Sequence, residues 1–259
     1  MGKARERLRR VWHRILPDFP ILLRVSPGLW WIARRDVVSD GLFAGTFERG
    51  ERGVFAGLVK PGMTVLDVGA HAGLYTLTAS KRVGDIGRVV SFEPSPRERS
   101  RLLRHLQLNG CRNVTVEPVA LGDANGEATL YVVQGRETGC NSLRPGDVGN
   151  AQPVRVPLRR LDDYLARGEI GRVDVIKMDV EGAELSVLRG AETLFRTSSP
   201  VLLCEIEDAR IAPWGYNGRE IIDLVAGWGY EWSVIGEDGR LEPFTARTEF
   251  MGNFLARRR

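Results

Sequence analysis

Three absences narrow what this chain can be. No stretch of its 259 residues approaches the roughly 20 consecutive apolar residues of a membrane span. Its three cysteines, Cys111, Cys140 and Cys204, are widely separated and odd in number, so they outline neither a disulfide framework nor a C-x-x-C metal pattern. Isolated thiols of this kind suit a reducing, cytoplasmic setting. The N-terminus is basic, but no uninterrupted apolar segment with a small-residue cleavage site follows it, which argues against a secretory signal. Internal repeats and low-complexity tracts are missing as well.

What is present is ordinary for a globular protein: 43% apolar and 27% charged residues, enough chain for one large domain with an N-terminal appendage. The net charge of +4 is unevenly spread, with +7 over residues 1–35 and therefore −3 over the remainder. Within the basic part, Leu8, Val11, Trp12, Ile15 and Leu16 share one face of a helix over residues 5–16, and arginines cover the other. Pro17 and Pro20 stop that helix. Its apolar face is expected to pack on the domain or on a second copy of the chain, giving a homo-oligomer. The alternative is peripheral contact of residues 1–16 with an anionic membrane surface. The next segment reads as irregular, so residues 1–60 form a basic helical and irregular extension and residues 61–259 the main domain.

From Pro61 onward, strand and helix patterns alternate. Strands are expected at 64–68, 88–92, 113–119, 172–178, 200–206, 230–235 and 249–256, with helices at 74–82, 96–109, 183–195 and 218–228. Such alternation implies an α/β fold, a mostly parallel sheet with helices on both faces. A long interruption after the third strand holds an extra strand at 127–133, a Gly/Asn-rich loop at 135–150, a short strand at 154–158 and a short helix at 161–166. Glu237-Asp238-Gly239 is a turn signal between the last two strands, which predicts a terminal antiparallel hairpin.

The segment Val65-Leu66-Asp67-Val68-Gly69-Ala70-His71-Ala72-Gly73-Leu74-Tyr75 carries the most chemistry. Apolar residues end on Asp67, two glycines follow four apart, and a helical pattern begins. Without Cβ atoms, Gly69 and Gly73 let the loop take positive φ and bring backbone N–H groups close to a ligand. The dinucleotide fingerprint needs a glycine where His71 stands, so the spacing points to a nucleoside-type ligand other than NAD, S-adenosylmethionine foremost. In open α/β sheets ligands bind beyond the carboxyl ends of the strands. Acids fall there at Asp67, Glu93, Asp123, Asp179 and Glu205. Glu93, ending the second strand, is placed to accept hydrogen bonds from both ribose hydroxyls. Asp67 orders the glycine loop or lies near the amino-acid end of the ligand.

Five segments then combine: VLDVGAHAGLYTLTAS (65–80), VVSFEPSP (89–96), NVTVEPVALGDANGEATLYV (113–132), NSL (141–143) and VDVIKMDVEGAELSVLRGAE (173–192), with LLCEIE (202–207) after them. Together they resemble the FkbM family of S-adenosylmethionine-dependent methyltransferases, over about residues 62–208. The resemblance implies a Rossmann-like class I methyltransferase fold: a seven-stranded, mostly parallel sheet with a small extra β insertion after the third strand. It also implies O-methylation of a hydroxyl on a sugar or glycan, a polyketide or another small secondary metabolite. Asp67, Gly69 and Gly73, with Ala70 and His71 between the glycines, then fall to the cofactor loop, Glu93 to the ribose, and Ala120 and Asp123 to the adenine end. His71 is expected to act through its backbone.

Val173–Met178 reads as a buried strand that delivers Asp179 beside the methyl donor. Methyl transfer from a sulfonium needs an aligned acceptor oxygen and a group that takes its proton. Asp179 is the first candidate for that base or for orienting the hydroxyl, with Glu181 and Glu205 in reserve. Glu184 is expected to cap the helix after Gly182. Lys177 shares the strand face of Asp179 and should pair with it. His13 and His105 sit in arginine-rich helical contexts and receive no chemistry. No metal is expected: Asp179, Glu181 and Glu205 offer oxygen ligands, but nothing gathers them, and acids at strand ends suit sugar hydroxyls equally. The basic N-terminus suggests nucleic-acid methylation as a competing function. Against it stand the acidic remainder and the segment Asp179-Val180-Glu181-Gly182 where an N-P-P-Y type motif would be needed. A non-catalytic protein of the same fold is disfavoured by the presence of both glycines and the strand-end acids.

Overall fold

The computed structural model describes residues 19–145, 150–245 and 249–258. The helix expected over 5–16, with Trp12 and His13, and residues 146–149 of the Gly/Asn-rich loop lie outside the described residues. In chain order the strands are β1 (Ile21–Ser26), β2 (Leu29–Ala33), β3 (Thr64–Val68), β4 (Arg88–Phe92), β5 (Val114–Glu117), β6 (Ala120–Leu121), β7 (Gly126–Val133), β8 (Ala151–Arg159), β9 (Val175–Met178), β10 (Val201–Glu207), β11 (Tyr230–Ile235), β12 (Leu241–Pro243) and β13 (Met251–Arg258). The helices are α1 (Val37–Ala44), α2 (Arg49–Leu58), α3 (Leu74–Val83), α4 (Pro96–Leu108), α5 (Leu161–Ala166), α6 (Glu184–Arg189), α7 (Glu192–Ser198), α8 (Asp208–Ile211) and α9 (Gly218–Ala226).

The main sheet runs β12-β11-β13-β10-β9-β3-β4-β5. Its strands β5, β4, β3, β9 and β10 are parallel, and β13 inserts antiparallel between β10 and β11. Helices on both faces explain why β3 and β9 are almost wholly buried, as their near-continuous apolar runs require. Seven of the strands stand where the sequence puts them. The eighth, β12, is an addition: the turn at Glu237–Gly239 folds β12 back on β11 before the chain reaches β13. The insertion does not extend the main sheet. It makes its own three-stranded sheet, β6-β8-β7.

The expectation of irregular structure before residue 60 is corrected by two strands and two helices there. In β2 the burial alternates, with Leu29, Trp31 and Ala33 inside and Trp30 outside. Asp36 caps α1 by accepting from the Ser39 N–H at 2.7 Å. These elements share the core of the rest: Trp31 and Ala33 cluster with Leu74, Leu77 and Leu102, and Phe55 and Val59 with Val65, Tyr75 and Val89. Two polar ties reinforce the docking. Arg101 on α4 meets Asp36 at 2.6 Å in a buried ion pair. His105 accepts from the Ile32 N–H at Nε2 (3.0 Å), so Nδ1 carries the proton and donates to the Ala72 carbonyl at 2.7 Å. Burial lowers the His105 pKa to about 4, which keeps the ring neutral in this role.

Candidate active site

A cavity of about 390 Å³ lies over the carboxyl ends of β3, β4, β9 and β10. Its size falls in the range of small-molecule sites. Asp67, Gly69, Ala70 and His71 line it from the glycine loop, Glu93 and Ala120 from one side, and Asp179, Glu181 and Glu205 from the other. Gly73 and Asp123 do not line it.

The glycines act through close packing. Gly69 has φ 81, and a Cβ there would stand 1.8 Å from the Asp179 carbonyl oxygen, so only glycine lets the ends of β3 and β9 come together. Gly73, at φ 95, precedes α3, and a Cβ would meet Leu102 on α4 at 2.3 Å. The expectation that the loop amides face a ligand is corrected at four positions. The Gly69 and Ala70 N–H groups both donate to the Phe92 carbonyl, at 3.0 and 3.1 Å, and Gly73 donates to the Ala70 carbonyl at 2.8 Å. The His71 N–H donates to Glu93 Oε2 at 2.6 Å.

Glu93 is 5% exposed and also accepts from the Ser95 N–H at Oε1, 2.8 Å away. Burial pushes its pKa up to about 8, because the two backbone donors only partly offset lost solvation and Glu98 adds repulsion. The His71 ring is kept neutral by burial, which lowers its pKa, and its Nε2 makes no hydrogen bond. The Thr138 hydroxyl, 7% exposed and on the cavity wall, is likewise without a partner. Asp67 accepts from the Thr76 hydroxyl at 2.5 Å and so ties β3 to α3; burial raises its pKa to about 6. Asp123 is a correction: it is exposed and bonded to Ser186 on α6, its Oδ1 accepting from the hydroxyl at 3.1 Å. The insertion sheet steers the loop after β6 away from the cavity, while Val119, Ala120 and Leu121 line it.

At the other end the groups are charged. Asp179 anchors its N–H on the Val68 carbonyl at 3.0 Å and holds its carboxylate 3.6 Å from Lys177 Nζ, the expected ion pair. It is hydrogen-bonded to Glu205, and its charge, followed by burial, pushes the Glu205 pKa up to about 10. Asp179 and Glu205 therefore titrate as one interacting pair, which keeps its last proton well above the usual carboxylate range. Lys177 is 1% exposed; burial opposes its charge, but Asp179, Glu205 and Glu48 outweigh that and raise its pKa. Glu181 is drawn away by Arg210, at 3.1 Å, while burial and then Asp179 raise its pKa to about 8. Glu184 accepts from the Val180 and Gly182 N–H groups at 3.1 and 3.3 Å and so ties down the loop before α6; the helix-capping expectation is corrected, because the residue at the cap of α6 is Ala183 and no side chain caps it.

Two residues of this cluster escape a reading of the sequence. Glu48, between α1 and α2, lines the cavity with left-handed φ 42, and Tyr75 donates its phenol proton to Glu48 Oε2 at 2.5 Å. The Tyr75 ring also lies 5.1 Å from Lys177 Nζ. Tyr75 follows the glycine loop directly, which is the one signal that could have marked it. Val38 and Phe47 from the N-terminal segment and Thr138 and Asn141 from the insertion complete the walls. The two walls touch where the Val37 N–H donates to the Arg136 carbonyl at 3.3 Å and Arg136 pairs with Asp40. Among the described residues no three His, Cys, Asp or Glu side chains are gathered for a metal ion. No described helix is long and apolar enough to cross a membrane, and Cys111, Cys140 and Cys204 are free thiols.

Comparison with known proteins gives this geometry a family. The AMB antimetabolite synthetase AmbE of Pseudomonas aeruginosa is 29% identical over 71% of this chain, although the chain spans only 10% of AmbE's length. The 31-O-demethyl-FK506 methyltransferase FkbM of Streptomyces tacrolimicus is 26% identical over 74% of this chain and 79% of its own. A crystal structure of methyltransferase FkbM from Methylobacillus flagellatus KT aligns with 85% of this chain and 52% of its own, at 16% identity and a TM-score of 0.48. The family profile described as the methyltransferase FkbM domain matches residues 67–232, from Asp67 at the end of β3 through Glu93 and Asp179 to β11, and the chain belongs to that family.

Proposed function

We propose that the protein transfers the methyl group of S-adenosylmethionine to a hydroxyl of a sugar, glycan or other small metabolite, with Asp179 taking the acceptor's proton. The observation that carries this reading is the carboxyl pair, Asp179 and Glu205, set beside Lys177 on one cavity wall, with the Asp179 carboxylate 3.6 Å from Lys177 Nζ. The residues fit the cofactor: the Glu93 carboxyl lines one end of the cavity and the charged group of Lys177, Asp179 and Glu205 the other, as a nucleoside that carries an amino acid requires. When bound, S-adenosylmethionine supplies an electrophilic methyl on a sulfonium for in-line displacement.

Glu93 uses one lone pair on each oxygen for the His71 and Ser95 N–H groups, which leaves acceptor capacity for ribose hydroxyls. Asp179 accepts the hydroxyl hydrogen bond of the acceptor, turns its oxygen lone pair towards the methyl group and takes the proton as the bond forms. Glu205, paired with Asp179, helps hold that carboxylate in place, and Glu181, engaged by Arg210, shapes the loop. The acidic lining favours a neutral polyhydroxylated acceptor over a phosphate backbone. The name of the Streptomyces relative, a 31-O-demethyl-FK506 methyltransferase, specifies an oxygen acceptor and supports the same reading.

The test is Asp179→Asn, assayed against a panel of hydroxylated sugars and small metabolites. Turnover should fall by about 10²–10⁴-fold while S-adenosylhomocysteine affinity stays within about twofold. A loss of affinity as large as the loss of rate would assign Asp179 to the cofactor and sink the proposed role.

A further inference from the structure

Glu48 has no task in that scheme, yet it shares the cavity with Lys177 and Asp179 and lies outside residues 67–232. Its left-handed backbone, unfavourable for a residue with a Cβ, is the kind of strain retained where a side chain must point one way. Burial raises its pKa, and Lys177 offsets that only in part. Lys177 is already engaged by Asp179 at 3.6 Å, and Arg52, the other cation near Glu48, gives its Nη1 to the Phe47 carbonyl, so no described cation pairs directly with Glu48. A ligand cation fits that place.

The sheet says where such a cation would come from. β4, β3 and β9 are neighbours, so Glu93 and Asp179 stand two strand spacings apart, roughly 10 Å. A ligand with its ribose at Glu93 extends its far end over Gly69 towards Tyr75, Lys177 and Glu48. The far end of S-adenosylmethionine is an α-amino acid, which carries an ammonium and a carboxylate. Tyr75 takes Glu48 Oε2, and Oε1 is left for a ligand donor. Thr138, on the wall that the insertion builds, is more than nine-tenths buried, and its hydroxyl has no hydrogen-bond partner.

We infer that Glu48 binds the α-ammonium group of the cofactor, so that the N-terminal segment outside the family match supplies part of the cofactor site. This rests on the cofactor reading given above.

Calorimetry on the full chain tests it with two ligands: S-adenosylhomocysteine, and 5′-methylthioadenosine, which keeps the nucleoside but lacks the amino-acid end. Glu48→Gln should weaken S-adenosylhomocysteine about tenfold and change 5′-methylthioadenosine less than about twofold. Unchanged S-adenosylhomocysteine affinity overturns the inference, and so does an equal loss for both ligands, which would make Glu48 a structural support. If Glu48→Gln does not fold, the wild-type protein is titrated with the deamino analogue of S-adenosylhomocysteine. A loss of about tenfold against the parent ligand is then expected, and equal binding overturns the inference. A wild-type protein that binds neither nucleoside sinks the cofactor reading and this inference with it. One that binds 5′-methylthioadenosine as tightly as S-adenosylhomocysteine sinks the inference alone.

Discussion

The two ends of the cavity are built by different means. Around Glu93 the chain holds itself with backbone groups: the His71 and Ser95 amides grip the carboxyl, and the Phe92 carbonyl gathers the Gly69 and Ala70 amides. Around Asp179 it uses side chains of opposite charge, with Lys177 at the centre and Glu205, Glu48 and Tyr75 about it. Backbone contacts survive most substitutions, so the first end is robust to sequence change. In the second, each side chain sets the protonation of the next, so single substitutions there redistribute charge across the site.

Gly69→Ala should have the largest effect, because it forces apart the strands that join the two ends. Its Cβ would clash with the Asp179 carbonyl, and a loss of about 3 kcal/mol or more is expected in chemical denaturation. A variant of unchanged stability would show that the ends are not rigidly coupled.

Glu93→Gln comes next and sharpens the contrast. Cofactor affinity should fall about tenfold with kcat at saturation little changed. The same residue sets a pH dependence. Its folded pKa, about 8, lies above the ordinary 4.5, so the native state keeps a proton that the unfolded chain releases. Stability is therefore lost as pH rises from 4.5 through about 8, and Glu184, raised to about 7, Glu181, raised to about 8, and Glu205, raised to about 10, act in the same direction. His105, lowered from 6.5 to about 4, opposes this only below pH 6.5. The Tm of the ligand-free protein should drop by several degrees, on the order of 5 °C, between pH 6.5 and 8.5, and Glu93→Gln should flatten the slope. A Tm independent of pH would show that the nucleoside end keeps its carboxylate ionised. Asp123→Ala, exposed and off the cavity, should change cofactor affinity and rate by less than about twofold. A large effect would return Asp123 to the adenine end.

Much of the sheet was legible because its signals are local. Continuous apolar runs ending on acids marked β3, β4, β9 and β10, and with them Asp67, Glu93, Asp179 and Glu205. The N-terminal elements were not legible because their strands are short and α1 turns one apolar face inward and another towards the cavity: Leu42 and Phe43 are buried in the core while Val37 lines the wall. Glu48 was hidden for the same reason, since it is an isolated acid between two unrecognised helices. Asp123 was misplaced because the insertion folds into a separate sheet, a pairing of β6 with β8 across more than thirty residues that no local pattern announces. The loop amides were misjudged for a related reason. For Gly69, Ala70 and His71 the acceptors, Phe92 and Glu93, come from the end of the neighbouring strand.

The buried pair of Arg101 with Asp36 and the tie from His105 to Ile32 have a consequence for how this catalytic unit can be moved between proteins. A fragment cut at Pro61 would keep every strand of the main sheet and the whole of the family match. It would also take the Asp36 partner from Arg101, bare the Trp31-facing side of His105 and open one wall of the cavity. A portable module therefore has to include the hairpin that starts at residue 21, well upstream of the first strand of the main sheet.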